Sequence, residues 1–223
     1  MQSTIPLPVD AMLLLGPTGS GKSPLGELLS ERGFLGRAAY HLDFGSALRS
    51  AINNRSSLYA DSERAFIQDV LEHGALLEDE HFTLARKVIT GTIDRSGFTP
   101  RDMLILNGIP RHAGQAKDID SIASIHALIV LDCDANAVSC RLRENTGGDR
   151  EGRLDDDPEL VRKKLAVFQE RTRPLIDHYN SIGRKIYRPS IGHRTTAEEA
   201  FQELSRLAAS DPPVSLVAEP PQG

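Results

Sequence analysis

Cysteine, long apolar runs and clustered positive charge are all scarce in this 223-residue chain. The two cysteines, Cys133 and Cys140, form no C-x-x-C pair, so neither a disulfide framework nor a structural zinc site has a basis in the sequence. They read as core thiols in a reducing cytosol. No run approaches the roughly 18 apolar residues that a membrane-spanning helix needs. Residues 1–10 lack the basic start and apolar centre of a signal peptide. The expectation is a soluble, cytoplasmic monomer with no membrane partner. Acidic residues outnumber basic ones, 31 to 26, for a formal charge of -5, and no Lys/Arg-rich stretch occurs. Polyanion binding rests on clustered cations that release counterions, so a nucleic-acid partner is not expected either. Internal repeats and sustained heptads are missing as well.

What the chain does have is an apolar run, Met12-Leu13-Leu14-Leu15, opening directly into Gly16-Pro17-Thr18-Gly19-Ser20-Gly21-Lys22-Ser23. That octet satisfies G-x-x-x-x-G-K-[ST] at every fixed position and lies between a strand and a helix beginning near Lys22. Polyphosphate must come close to backbone N–H groups. Gly16, Gly19 and Gly21 suit this because a Cβ would block the approach and the positive φ angles required. The helix N-terminus adds its dipole, Lys22 brings a point charge to the β and γ phosphates, and the Ser23 hydroxyl is placed to ligate Mg²⁺. Thr18 and Ser20 complete the cradle. Pro24, without an N–H, is acceptable only in a first helical turn.

Short apolar runs at 11–15, 39–44, 103–106, 127–131 and 185–187 alternate with helix-patterned segments at 22–31, 45–53, 62–73, 78–94, 114–122, 136–143, 158–181 and 196–209. Such alternation predicts an α/β fold in which a parallel sheet is covered on both faces. Two segments do not fit. The stretch from 45 to 102 is longer than one crossover helix needs, which suggests a helical insertion at 45–76. Residues 143–157 turn to Gly, Asp, Arg, Asn and Glu and read as a charged flap. Residues 210–223, rich in proline, read as a disordered tail. The core is then 1–44, 77–142 and 158–209.

Further motifs follow in order. They are Tyr40-His41-Leu42-Asp43-Phe44-Gly45-Ser46-Ala47-Leu48-Arg49, Asn107-Gly108-Ile109-Pro110-Arg111 with Gln115, Gly152-Arg153-Leu154-Asp155-Asp156, and Thr172-Arg173-Pro174 through Tyr179. Together with the phosphate loop they resemble the adenylate kinase family of nucleoside monophosphate kinases, from about residue 11 to residue 187. The resemblance implies a P-loop NTPase core of three layers, α/β/α, around a five-stranded parallel sheet, with a helical monophosphate-binding insertion and a short lid. It also implies transfer of the γ-phosphoryl group of ATP to AMP, with Mg²⁺. On that pattern Arg49 and Arg111 clamp the acceptor phosphate and Gln115 reads the acceptor base. Arg141 lies over the donor base, and Arg153 descends with the lid. Lys22, Arg111, Arg153 and Arg141 are the catalytic set. Asp155 and Asp156 orient lid arginines, although with Asp157 they also suit a charged helix start. Gln115 has a plainer reading as an exposed helix residue.

The chain departs from the family at several points. Asn107 stands where aspartate usually holds water on Mg²⁺, which leaves Ser23 and Asn107 as the metal-site pair. Asp43 and Phe44 replace Ser and Thr, and Lys164 replaces an arginine whose planar fork lysine lacks. Arg143 and Arg150 are candidates for a second lid arginine. These departures keep a second hypothesis open, a nucleotide-binding regulator on a kinase scaffold. The same octet also looks like the loop of the tRNA prenyltransferases, but the acidic balance opposes that. An alcohol-accepting kinase would leave Gln115 without a role.

Overall fold

In β1 (Val9–Leu15) successive side chains enter opposite apolar layers: Ala11, Leu13 and Leu15 join one buried cluster, Met12 and Leu14 another. A strand buried on both faces belongs at the centre of a covered sheet. The computed structural model describes residues 5–53, 58–73, 75, 77–148 and 158–210. The sheet contains five parallel strands in the order β2-β3-β1-β4-β5, where β2 is Ala39–Asp43, β3 Met103–Asn107, β4 Ala123–Val130 and β5 Lys185–Tyr187. Helix α1 (Lys22–Arg32) and α9 (Ala197–Ala209) cover one face. The opposite face carries α4 (Phe82–Ser96), α5 (Ala113–Ile119) and α8 (Pro174–Ser181). This is the expected three-layer arrangement.

Between β2 and α4 lie α2 (Phe44–Asn53), α3 (Asp61–His73) and a single tight turn at Asp79–His81, in the region where the sequence predicts an insertion. Helix α6 (Ala135–Glu144) follows β4. Its N-cap Asp134 accepts from the Ala137 N–H, and its chain reversal uses Asn145 in the left-handed conformation.

Several element boundaries differ from the sequence expectation. β4 starts at Ala123, because its main chain pairs with β1 from Val9 onward despite Ser124; α5 accordingly ends at Ile119. The segment expected as one helix from 158 to 181 is instead α7 (Pro158–Val167), a wide π turn over Phe168–Thr172, and α8. Pro174 explains the break: it has no N–H to continue an α ladder, and the Arg173 N–H reaches back five residues to Phe168 O at 2.8 Å. Both cysteines are free and only half-buried, not core thiols. Cys133 sits just past β4, and Cys140 lies on α6 with Arg143 against its sulfur. Among the described residues no helix is long and apolar enough to cross a membrane.

Candidate functional site

Parallel strands end on the same side of the sheet, and this register brings three chain segments together. Asn107, the last residue of β3, pairs with Leu14 of β1 on one side and with Asp43, the last residue of β2, on the other. The phosphate loop leaves β1 at that edge, where ligands of open α/β sheets bind.

Two glycines of the loop have no substitute. Gly21 caps α1 at φ 95°, and a Cβ there would stand 2.9 Å from Arg141 Nη2. At Gly16 a Cβ would stand 2.6 Å from Ser20 Oγ and 2.8 Å from Leu131 O. The Lys22 ammonium donates to Gly16 O at 2.8 Å and to Pro17 O at 2.7 Å, holding the cup on itself. Thr18 lines the cavity, as do Gly16, Gly19, Gly21, Lys22 and Ser23. Ser20 is not among the residues lining this cavity. Its Oγ is buried under Gly16 without a hydrogen-bond partner among the described residues, and its N–H donates to Pro17 O at 3.3 Å.

Across the cavity stand Arg49 of α2, Arg111 in the loop after β3, Gln115 of α5 and Lys164 of α7. Arg111 is held by its backbone. Its N–H donates to Gln115 Oε1 at 2.8 Å, and its carbonyl accepts from Thr172 Oγ1 at 2.9 Å. No acidic side chain among the described residues pairs with its guanidinium, and burial pushes its pKa down. A cation kept desolvated and aimed into a cavity is suited to an anion that arrives later. Thr172 was not singled out in the sequence as a site residue, and its hold on Arg111 depends on the π turn.

Gln115 is buried, not exposed, because its amide nitrogen also donates to Leu77 O where the insertion re-enters the core. Arg141 is buried too. Its Nε donates to Gly19 O at 2.9 Å, and its Nη1 to Gly192 O and Thr195 O at 2.8 and 2.7 Å. It thus braces the phosphate loop against the turn before α9 and is not among the cavity-lining residues. Arg150, Arg153, Asp155, Asp156 and Asp157 lie outside the described residues, as does the tail from 211 onward.

The strand ends carry a polar knot that the sequence reading missed. Ser23 Oγ donates to Asp43 Oδ2 at 2.7 Å, and Asn107 Nδ2 donates to the same oxygen at 3.1 Å. Asn107 Nδ2 also lies 3.3 Å from Ser23 Oγ and 3.2 Å from His41 Nε2. The nitrogen of Asn107, not its oxygen, therefore faces the Ser23 side. Asp43 Oδ1 caps α2 by accepting from the Ser46 N–H at 2.9 Å. Burial alone would raise the pKa of Asp43, but the Ser23 and Ser46 hydrogen bonds and the nearby His41 and Arg49 charges hold it below the usual carboxylate value. Burial lowers the pKa of His41. Only β-strand register could reveal the knot, since Ser23, Asp43 and Asn107 are far apart in sequence.

A family model described as adenylate kinase matches residues 14–184 of the chain. Curated relatives agree. An adenylate kinase of Synechococcus sp. is 30% identical over 177 residues, covering 77% of this chain and 85% of that protein. One from Prochlorococcus marinus is 31% identical over 178 residues, covering 77% and 84% respectively. One from Brucella melitensis is 29% identical over 209 residues, covering 88% and 97%.

Proposed function

The chain belongs to the adenylate kinase family of nucleoside monophosphate kinases, and on that premise we propose that it passes the γ-phosphoryl group of ATP to AMP, giving two ADP. The observation carrying this reading is that Lys22, Arg49 and Arg111 line one cavity at the sheet edge. Joining two nucleotides concentrates negative charge where little covalent help is available, so fixed cations must supply the stabilisation.

Arg49 and Arg111 would bind the phosphate of the acceptor, with Lys164 beside them. Lys22 would exchange its carbonyl partners for the β and γ phosphates. Gln115 still has one amide N–H and one lone pair beyond those used by Leu77 and Arg111, enough for an adenine edge that both donates and accepts. Arg141 would act from behind the loop, fixing the donor side, and Arg153 would arrive with the 143–157 lid and exclude water. The 45–76 insertion would form the acceptor domain and the remaining described segments the core.

Mg²⁺ fits the oxygen-rich corner at Ser23. Among the described residues no three His, Cys, Asp or Glu side chains form a cage. Mg²⁺ does not need one, being held typically by one or two carboxylates plus the phosphates of its substrate. When bound it neutralises charge on the phosphates undergoing transfer.

The test is a coupled assay with Mg·ATP and each of AMP, GMP, CMP and UMP. AMP should turn over fastest. A faster rate with another base would overturn the acceptor assignment, and no turnover with any of the four would overturn transfer itself.

A further inference from the structure

Asp43 is the single acidic side chain among the described residues that line the cavity, in company with Lys22, Arg49, Arg111 and Lys164. A lone carboxylate at the mouth of a phosphate loop repels the polyanion the loop is built to hold, unless a cation stands between them. We propose that Asp43 is the acidic group of the Mg²⁺ site, acting through Ser23, and that Asn107 serves as a hydrogen-bond donor to that carboxylate and not as a metal-site acceptor. The proposal rests on the nucleotide-transfer reading above.

Three features of the geometry support it. A serine hydroxyl can ligate a cation only if its proton points elsewhere, and Ser23 gives that proton to Asp43 Oδ2 at 2.7 Å, leaving one lone pair beyond the one that Asn107 Nδ2 approaches at 3.3 Å. Asn107 turns its NH₂ toward the same oxygen at 3.1 Å, where a donor steadies a carboxylate but cannot bind a metal. Asp43 and Asn107 are register partners at the ends of neighbouring strands. A carboxylate at either position therefore serves the same corner, and this chain carries it on β2.

The competing role for Asp43 is helix capping through Ser46, and Asn preserves that role, because the two residues cap about equally well. Asp43→Asn therefore removes the charge while keeping the cap. ATP affinity is measured calorimetrically with Mg²⁺ and with EDTA for the wild type, Asp43→Asn and the double variant Asp43→Asn/Asn107→Asp, with no acceptor present. In the wild type Mg²⁺ should tighten ATP binding by about 5- to 150-fold, the usual span for two coupled ligands. Asp43→Asn should lose most of that factor, bind ATP in EDTA at least as well as the wild type, and remain folded. Moving the carboxylate to β3 in the double variant should restore the Mg²⁺ factor. If Asp43→Asn retains the wild-type factor, or the double variant folds but does not regain it, the assignment of Asp43 is overturned while the transfer reading stands. A wild type that turns over nucleotides but shows no Mg²⁺ factor also overturns it. A wild type that neither binds ATP nor turns over overturns both.

Discussion

Arg141 Nε donates to Gly19 O at 2.9 Å, so a helix lying after the fourth strand holds the floor of a loop that follows the first. The same guanidinium reaches Gly192 and Thr195, three main-chain carbonyls in all. Hydrogen bonds from a charged donor contribute about 1.5–3 kcal/mol each, and a planar fork satisfies several at once. Arg141→Lys should therefore lower both the melting temperature and the affinity for ATP, although charge is conserved. Thermal melts with and without ATP would check this; an unchanged midpoint would contradict a bracing role.

Arg111 shows the opposite relation between stability and function. Its guanidinium is desolvated without an acidic partner among the described residues, so it costs the fold free energy that a bound phosphate would recover. Arg111→Ala should cut turnover by about 100- to 1,000-fold, the range seen when a preorganised charge-stabilising donor is removed. The unfolding midpoint should stay level or rise. Steady-state kinetics beside chemical denaturation would separate the two effects.

Helix α1 approaches β2 so closely at Gly26 that a Cβ there would overlap the His41 ring, which Asn107 contacts at 3.2 Å. Gly→Ala within a helix ordinarily gains about 1 kcal/mol from backbone entropy. Overpacking typically costs about 1–3 kcal/mol, and here the ring has little room to yield. Gly26→Ala should thus destabilise the protein, with a lower denaturant midpoint as the readout.

At the start of β1, Asp10 Oδ2 accepts from Arg37 Nη1 at 2.8 Å, and Asp10 Oδ1 lies 2.8 Å from His126 Nε2. Burial pushes the Asp10 pKa up, but these hydrogen bonds and charges outweigh it and leave the carboxyl below its usual value. As acid is added, the unfolded chain takes up this proton before the folded one. The stabilisation is complete above the unfolded value of about 4 and is lost as pH falls through the lower native pKa. Asp10→Asn should flatten the acid limb of a stability profile below about pH 4.

Local signals sufficed wherever neighbouring residues carry the information. The octet from Gly16 to Ser23, the apolar runs of the five strands and most of the helix-patterned segments between them reflect contacts a few residues apart, and their order along the chain is the one the pattern implies. Pro174 was visible too, but not that a π turn would result and place Thr172 under Arg111.

The amino-acid order alone thus determined a parallel α/β core with a phosphate loop after its first strand, because periodicity and glycine chemistry are local. Only the tertiary structure decided that Ser23, Asp43 and Asn107 share one corner, that Gln115 and Thr172 hold Arg111 from both ends, and that Arg141 braces the loop from behind. Those relations arise from the strand order β2-β3-β1 and the register of three strand ends, which join residues dozens of positions apart. Side-chain hydrogen bonds across such distances leave no periodic trace in a single chain.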